Sequence, residues 1–291
     1  MAIFSEFLES VNFLTVFKFK SKKYSAVSQT ELLIKSIKFF PAAGLFIGII
    51  IAFVFYLFNK FLPLYPSVLI SIFCLYAVTG GLHFDGLSDT SDGFFAYLKS
   101  GDKNRFYKAM KDVNTGAAGN IAVIFYVLIM WSLIISAGKT YSFYASLPSF
   151  LALKYLAIKH FSGIFSVFNF KFNFIYLVLL LFPAAGRYAI VVTSYFSETP
   201  ENFKGIGTVF TEGTDAKTFL CATIAAFLII CLFAGLSGFF SILITILAVL
   251  LTALYFRKKF GGVNGDMIGF TVKLSELVFV AALLGFHKAL Y

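Results

Sequence analysis

The sequence predicts an all-α bundle of about seven membrane-spanning helices with a cytoplasmic N-terminus. Three observations carry this. Of the 291 residues, 59% are hydrophobic and only 13% are Asp, Glu, Lys or Arg. A soluble domain is nearer about 45–50% apolar and about 25% charged. The apolar residues fall into runs of helical length, and a span needs about 20 of them. Disorder, a collagen-like chain and an ordinary soluble enzyme are excluded.

In chain order, the expected spans are 39–59, 65–80, 117–137, 174–195, 218–235, 237–256 and 269–288. Pro63 and Pro66 punctuate the tight link between the first two. Gly235 and Gly238 mark the turn between the fifth and sixth. The second span is short and runs into a polar stretch. Segment 146–165 is apolar but carries Lys154, Lys159 and His160, which fits an interfacial position as well as a span. No repeat or linker divides the chain, so residues 1–291 read as a single membrane domain. Within it, 1–38 is expected to be an amphipathic cytoplasmic segment on the lipid surface, and 81–116 an acidic active-site segment.

The net charge of +10 is a topology signal here, not a nucleic-acid signal. With the N-terminus inside, segments 1–38, 81–116, 196–217 and 257–268 hold 16 of the 24 Lys and Arg. The outside segments hold six, and Arg187 and Lys273 lie within spans. The bias supports an N-in, C-out arrangement in a cell (inner) membrane. Cys74, Cys221 and Cys231 all lie in apolar runs, form no CxxC, and read as small buried hydrophobes.

With 14 acidic residues in all, their placement is informative. Asp85, Asp89 and Asp92 stand at i, i+4 and i+7 and share one face of a helix. Three carboxylates on one face repel unless a cation sits among them. A hard divalent ion with oxygen ligands meets that need, and Mg²⁺ is the usual one beside phosphates. Gly80, Gly81, Gly86 and Gly93 would let backbone or ligand come close. His83 is a candidate base, phosphate donor or ligand.

Further candidates follow along the chain. Lys111 precedes Asp112, and Gly116 and Gly119 open the next span. That helix N-terminus would favour an anion. Gly265 and Asp266 open the last span, which contains Glu276. Arg187 and Glu276 lie in the apolar runs, where an ionisable group is costly and a functional candidate by default. Arg187 could bind phosphate or pair with a carboxylate, and Glu276 could pair with Lys273. Carboxylates for metal, cations for phosphate and glycines for close approach are the equipment of phosphoryl or nucleotidyl transfer.

The run from Gly80 to Phe94 resembles the signature of the cobalamin (5′-phosphate) synthase family, the adenosylcobinamide-GDP ribazoletransferases. That signature reads G-G-x-H-x-D-G-L-x-D-x-x-D-G, and each defined position is present, from Gly80 and Gly81 through His83, Asp85, Gly86, Leu87, Asp89 and Asp92 to Gly93. Phe13-Leu14-Thr15, Phe40-Pro41 with Gly44, Lys111-Asp112 with Gly116 and Gly119, Gly186-Arg187, Gly205-x-Gly207-x-x-Phe210 and Gly261-Gly262-x-x-Gly265-Asp266 are similar to further family elements. Lys111 and Asn264 stand where Arg and Thr are common, and Val16 replaces an Arg often found there.

The resemblance implies transfer of α-ribazole, or its 5′-phosphate, to adenosylcobinamide-GDP, giving adenosylcobalamin or its 5′-phosphate and GMP. It implies an integral membrane enzyme that needs Mg²⁺, held by Asp85, Asp89 and Asp92. Asp112 and Asp266 are then expected to complete the metal shell or orient the hydroxyl. Arg187 and Lys111 are expected to contact phosphate, with Gly80, Gly81, Gly86, Gly93, Gly116, Gly265 and Glu276 lining the substrate site. A homo-oligomer is compatible with such a bundle. Two alternatives differ in class. A CDP-alcohol phosphotransferase carries D-G-x-x-A-R and a different Gly–Asp spacing. An ion-coupled transporter would use the charges within spans.

Overall fold

The computed structural model describes residues 2–19, 29–140, 174–200 and 205–290. These residues are helices and short connections, without strands. The ambiguous segment 146–165 lies outside them. Helix α1 (Ala2–Leu14) and α2 (Gln29–Ser36) precede a 3-10 turn at Ile37–Phe39 and α3 (Phe40–Phe58). Pro41 sits in the first turn of α3, where its missing N–H costs nothing. Then come α4 (Leu64–Val78), α5 (Leu82–Ser100), α6 (Lys103–Met110) and α7 (Ala117–Thr140). The second half holds α8 (Phe174–Phe196), α9 (Ile206–Gly213), α10 (Ala216–Phe260) and α11 (Gly265–Leu290).

Helix α8 is the axis of the bundle, and nearly all of its side chains are buried. It packs closest against α3, because Gly44 and Gly48 leave no side chain between the two backbones. A Cβ at either position would run into the main chain at Pro183 or Leu180. Five helical stretches are long and apolar enough to cross a bilayer, or six if α4 and α5 form one broken span.

Helix α10 is 45 residues long, about 67 Å at 1.5 Å per residue, roughly twice the hydrocarbon thickness. It does not run straight. Gly235 takes φ 56° and ψ −137°, backbone angles that a residue with a Cβ rarely adopts. The rings of Phe227 and Phe239 lie 5.8 Å apart, whereas twelve residues of straight helix would separate them by about 18 Å. The chain therefore folds back at Gly235 as a helical hairpin, where the sequence places the turn between 218–235 and 237–256.

Gly80 and Gly81 have φ of 59° and 74° and form the corner between α4 and α5. The two helices meet there at 91°. With α4 along the bilayer normal, α5 runs along the membrane face, outside the spanning segments. This corner turns the acidic segment away from the lipid. Within 1–38, the segment expected to be amphipathic, α1 is tied to the 3-10 turn by a Glu6–Lys38 ion pair of 2.8 Å, and Val16, just past α1, donates its N–H to Val78 O at the end of α4.

Candidate active site

Helix α5 crosses the start of α11 at a glycine contact. A Cβ on Gly86 would lie 2.6 Å from the Asp266 carbonyl oxygen, and one on Gly269 would lie 3.2 Å from the Gly86 Cα. The absence of side chains there brings the acidic face of α5 against Asp266. Asn264 supports the same corner, its Oδ1 accepting from the Met267 amide at 2.9 Å. A third element joins through another glycine pair. A Cβ on Gly207 would lie 2.7 Å from the Gly265 amide, so the first turns of α9 and α11 touch.

A cavity of about 340 Å³ opens between these elements. His83 and Asp85 reach it from α5, and Gly265 and Asp266 from α11. Lys111 contributes from the end of α6, and Thr208 from α9. Two helix N-termini, those of α9 and α11, border it, an arrangement that favours an anionic group.

Asp89 lies one turn beyond Asp85. Burial pushes its carboxyl up to about 7, with repulsion from Asp85, Asp266 and Asp92 adding to the effect. Carboxylates crowded this way are a donor set for a hard divalent cation. Among the described residues no three acidic or histidine side chains close into a ready-made metal cage. An ion here would take one or two carboxylates at a time and fill its shell with water and phosphate oxygens, as Mg²⁺ commonly does.

Asp92 has a different environment. Its two oxygens accept the Gly116 and Gly119 amides at 2.7 and 2.9 Å, capping the N-terminus of α7. Gly116 and Gly119 have no side chain because the Asp92 carboxylate and Ser88 occupy that space. Gly93 likewise packs under Phe106 and Met110 of α6. Asp112 is exposed and accepts from the Asn114 amide at 2.9 Å, forming its own turn. The structure does not bring it to the cavity wall, although its neighbour Lys111 is there.

Arg187, Lys273 and Glu276 lie behind the cavity and are fully buried. Arg187 Nη1 donates to Glu276 Oε1 at 2.5 Å, and Lys273 Nζ to Oε2 at 2.9 Å. Arg187 is thus a carboxylate partner through Nη1, while its Nε and Nη2 have no hydrogen-bond partner among the described residues. Gly186 makes room for this pair, since a Cβ there would meet Glu276 Cγ at 2.8 Å. The Lys273 ammonium lies 3.9 Å from the Phe84 ring centroid, next to Asp85. Tyr126 also donates to Glu276. Nothing in the sequence distinguishes Tyr126 from the other 14 tyrosines. His83 stands between this cluster and the cavity with Nδ1 unpartnered. Burial and the nearby Arg187 and Lys273 charges hold its pKa well below the usual histidine value, so it is neutral.

Known proteins resemble this chain over most of its length. A relative from Geotalea daltonii named adenosylcobinamide-GDP ribazoletransferase is 29% identical over 261 residues, covering 90% of each chain. One of the same name from Clostridium acetobutylicum is 28% identical over 282 residues, 96% of each chain. Another, from Escherichia coli K12, is 28% identical over 246 residues, 84% of this chain and 85% of its own. No solved structure matches the chain. The family model for cobalamin-5-phosphate synthase matches residues 6–284, and the chain belongs to that family.

Proposed function

We propose that the protein is an adenosylcobinamide-GDP ribazoletransferase of the cell (inner) membrane, with its active site on the cytoplasmic face. The observation that carries this is the convergence of Asp85, His83, Asp266 and Lys111 on one cavity between two helix N-termini. The 3′-hydroxyl oxygen of α-ribazole, or of its 5′-phosphate, attacks the phosphorus esterified to cobinamide. The new P–O bond forms as the phosphoanhydride bond breaks and GMP leaves. No covalent enzyme intermediate is needed.

Asp85, Asp89 and Asp266 would hold Mg²⁺. When bound, the ion neutralises diphosphate charge and templates the reacting oxygens. The α9 and α11 N-termini and Lys111 face the phosphates. His83 is neutral, borders the cavity and is the candidate acceptor of the hydroxyl proton. Asp92 fixes α7 to α5 and keeps the acidic face in register. The buried charges at Arg187, Lys273 and Glu276 pair with one another and do not line the cavity, which weighs against an ion path through the bundle.

The test is GMP release by purified protein in lipid or detergent, given adenosylcobinamide-GDP, α-ribazole and Mg²⁺. Release that depends on all three supports the reading. Folded protein that yields no GMP from authentic substrates overturns it.

A further inference from the structure

Two aromatic residues of the sequence elements have no part in the phosphate chemistry above: Phe13 of Phe13-Leu14-Thr15 and Phe210 of Gly205-x-Gly207-x-x-Phe210. The fold brings them together. Phe13, at the end of α1, and Phe210, in α9, meet edge-on with ring centroids 5.1 Å apart. Phe40 backs both, at 6.1 Å from Phe13 and 5.6 Å from Phe210. Phe13 and Phe210 line the same cavity as Asp85 and Asp266, joined there by Ile190 of α8 and Ile206 of α9. The cavity thus has an acidic wall from α5 and α11 and an apolar, aromatic wall from α1, α8 and α9.

We infer that the aromatic wall is the binding site for the α-ribazole base, and this rests on the proposed transferase activity. The two substrates carry different ring systems. Guanine presents donors and acceptors around its edge, and a site for it leaves polar groups to be matched. The dimethylbenzimidazole of α-ribazole has two methyl groups and no exocyclic polar atom. Phe13, Ile190, Ile206 and Phe210 offer no hydrogen-bonding side chain, and the nearby Thr199 and Thr208 hydroxyls already pair with Thr211 and the Gly205 amide, which suits the second ring better than the first. A cavity of about 340 Å³ is large enough to take a nucleoside. With the base on this wall, the ribose extends toward Asp85, His83 and Asp266, where its 3′-hydroxyl must react. The corrinoid then approaches from outside, with only its diphosphate entering.

The test separates the two substrates kinetically. Ile206 is half-exposed at the start of α9, so Ile206→Asn makes the wall polar without removing a core side chain. Phe210→Leu is the second variant. Each is expected to raise KM for α-ribazole about tenfold, the scale for losing part of an apolar contact. The kcat and the KM for adenosylcobinamide-GDP should stay within about twofold of wild type. α-Ribazole alone should raise the melting temperature of the wild type more than that of Ile206→Asn. A rise in KM for adenosylcobinamide-GDP with an unchanged KM for α-ribazole assigns the wall to the guanosine half and overturns the inference. Unchanged KM for both substrates in folded variants overturns it equally. Wild-type protein that releases no GMP would instead sink the proposed activity, so the two failures are distinguishable.

Discussion

Asp89 is the residue whose chemistry is most exposed to test. It is half-buried, beside Asp85 and Asp266, and holds its proton up to about pH 7 instead of 3.8. The sign follows from the raised folded value. Between about 4 and 7 the folded chain keeps a proton that the unfolded chain has lost, so metal-free protein loses stability as pH rises through that window. A divalent cation needs the ionised form and works in the opposite direction. The melting-temperature gain on adding Mg²⁺ should therefore be larger at pH 8 than at pH 6. Asp89→Asn should remove most of that gain and lower GMP release at least a hundredfold, with expression unchanged. A variant that keeps near wild-type turnover would take Asp89 out of the metal site. The buried cluster makes a separate prediction. Glu276→Gln leaves Arg187 and Lys273 buried without a counter-charge, and breaking a buried pair this way costs about 3–5 kcal/mol. Lys273→Met leaves the Arg187–Glu276 pair neutral and should cost less. Denaturation midpoints of the purified variants give the order, and the reverse order would show that Lys273 is the main partner.

At the scale of elements, the same acidic motif serves two different jobs. Asp85 faces the cavity, whereas Asp92 caps α7 through two backbone amides. Losing a helix cap costs about 0.5–2 kcal/mol. Asp92→Ala should accordingly lower the melting temperature, while Asp89→Asn leaves the metal-free melting temperature near or above wild type. Equal melting temperatures for Asp92→Ala and wild type would remove the capping role. Gly86→Ala places a Cβ against the Asp266 backbone and forces α5 away from α11. It should reduce kcat at least tenfold in protein that still elutes as a folded species. The sequence alone made the acidic face, the glycines and the intramembrane charges legible, because residue type and helical spacing identify all three. It did not show that Asp92 caps α7 while Asp89 does not, since the two have the same side chain on the same face. Nor did it reveal that Gly86, Gly93 and Gly116 serve helix contacts. Those roles depend on which elements α5 meets, α6 and α7 nearby in the chain and α11 at its far end, and neither Asp112 nor Tyr126 carried any local sign of where the fold would leave it.

For the whole molecule, α3 and α4 form a hairpin whose turn, at 59–63, lies at the far end from the corner that carries the acidic segment. The Gly80–Gly81 corner, α5, α6 and the loop before α7 all belong to the cavity end, with the start of α11 returning to it. Most Lys and Arg of the sequence also fall in the segments assigned to that end, including Lys99, Lys103, Arg105, Lys108 and the Arg257–Lys259 run. On the positive-inside bias, the proposed orientation has the cavity end on the cytoplasmic side. Two exposed positions report on this directly: Phe61 in the α3–α4 turn, 82% exposed, and Val113 in the loop before α7, 98% exposed. In a background with Cys74, Cys221 and Cys231 replaced by alanine, Phe61→Cys should react with a membrane-impermeant maleimide in intact spheroplasts. Val113→Cys should react only once the membrane is opened. The opposite pattern would place the carboxylates outside the cell, away from any cytoplasmic pool of nucleotide-activated substrate, and would overturn the orientation. Labelling of both positions in sealed cells would show that the 59–63 turn and the acidic segment lie on one side, and that α4 does not cross.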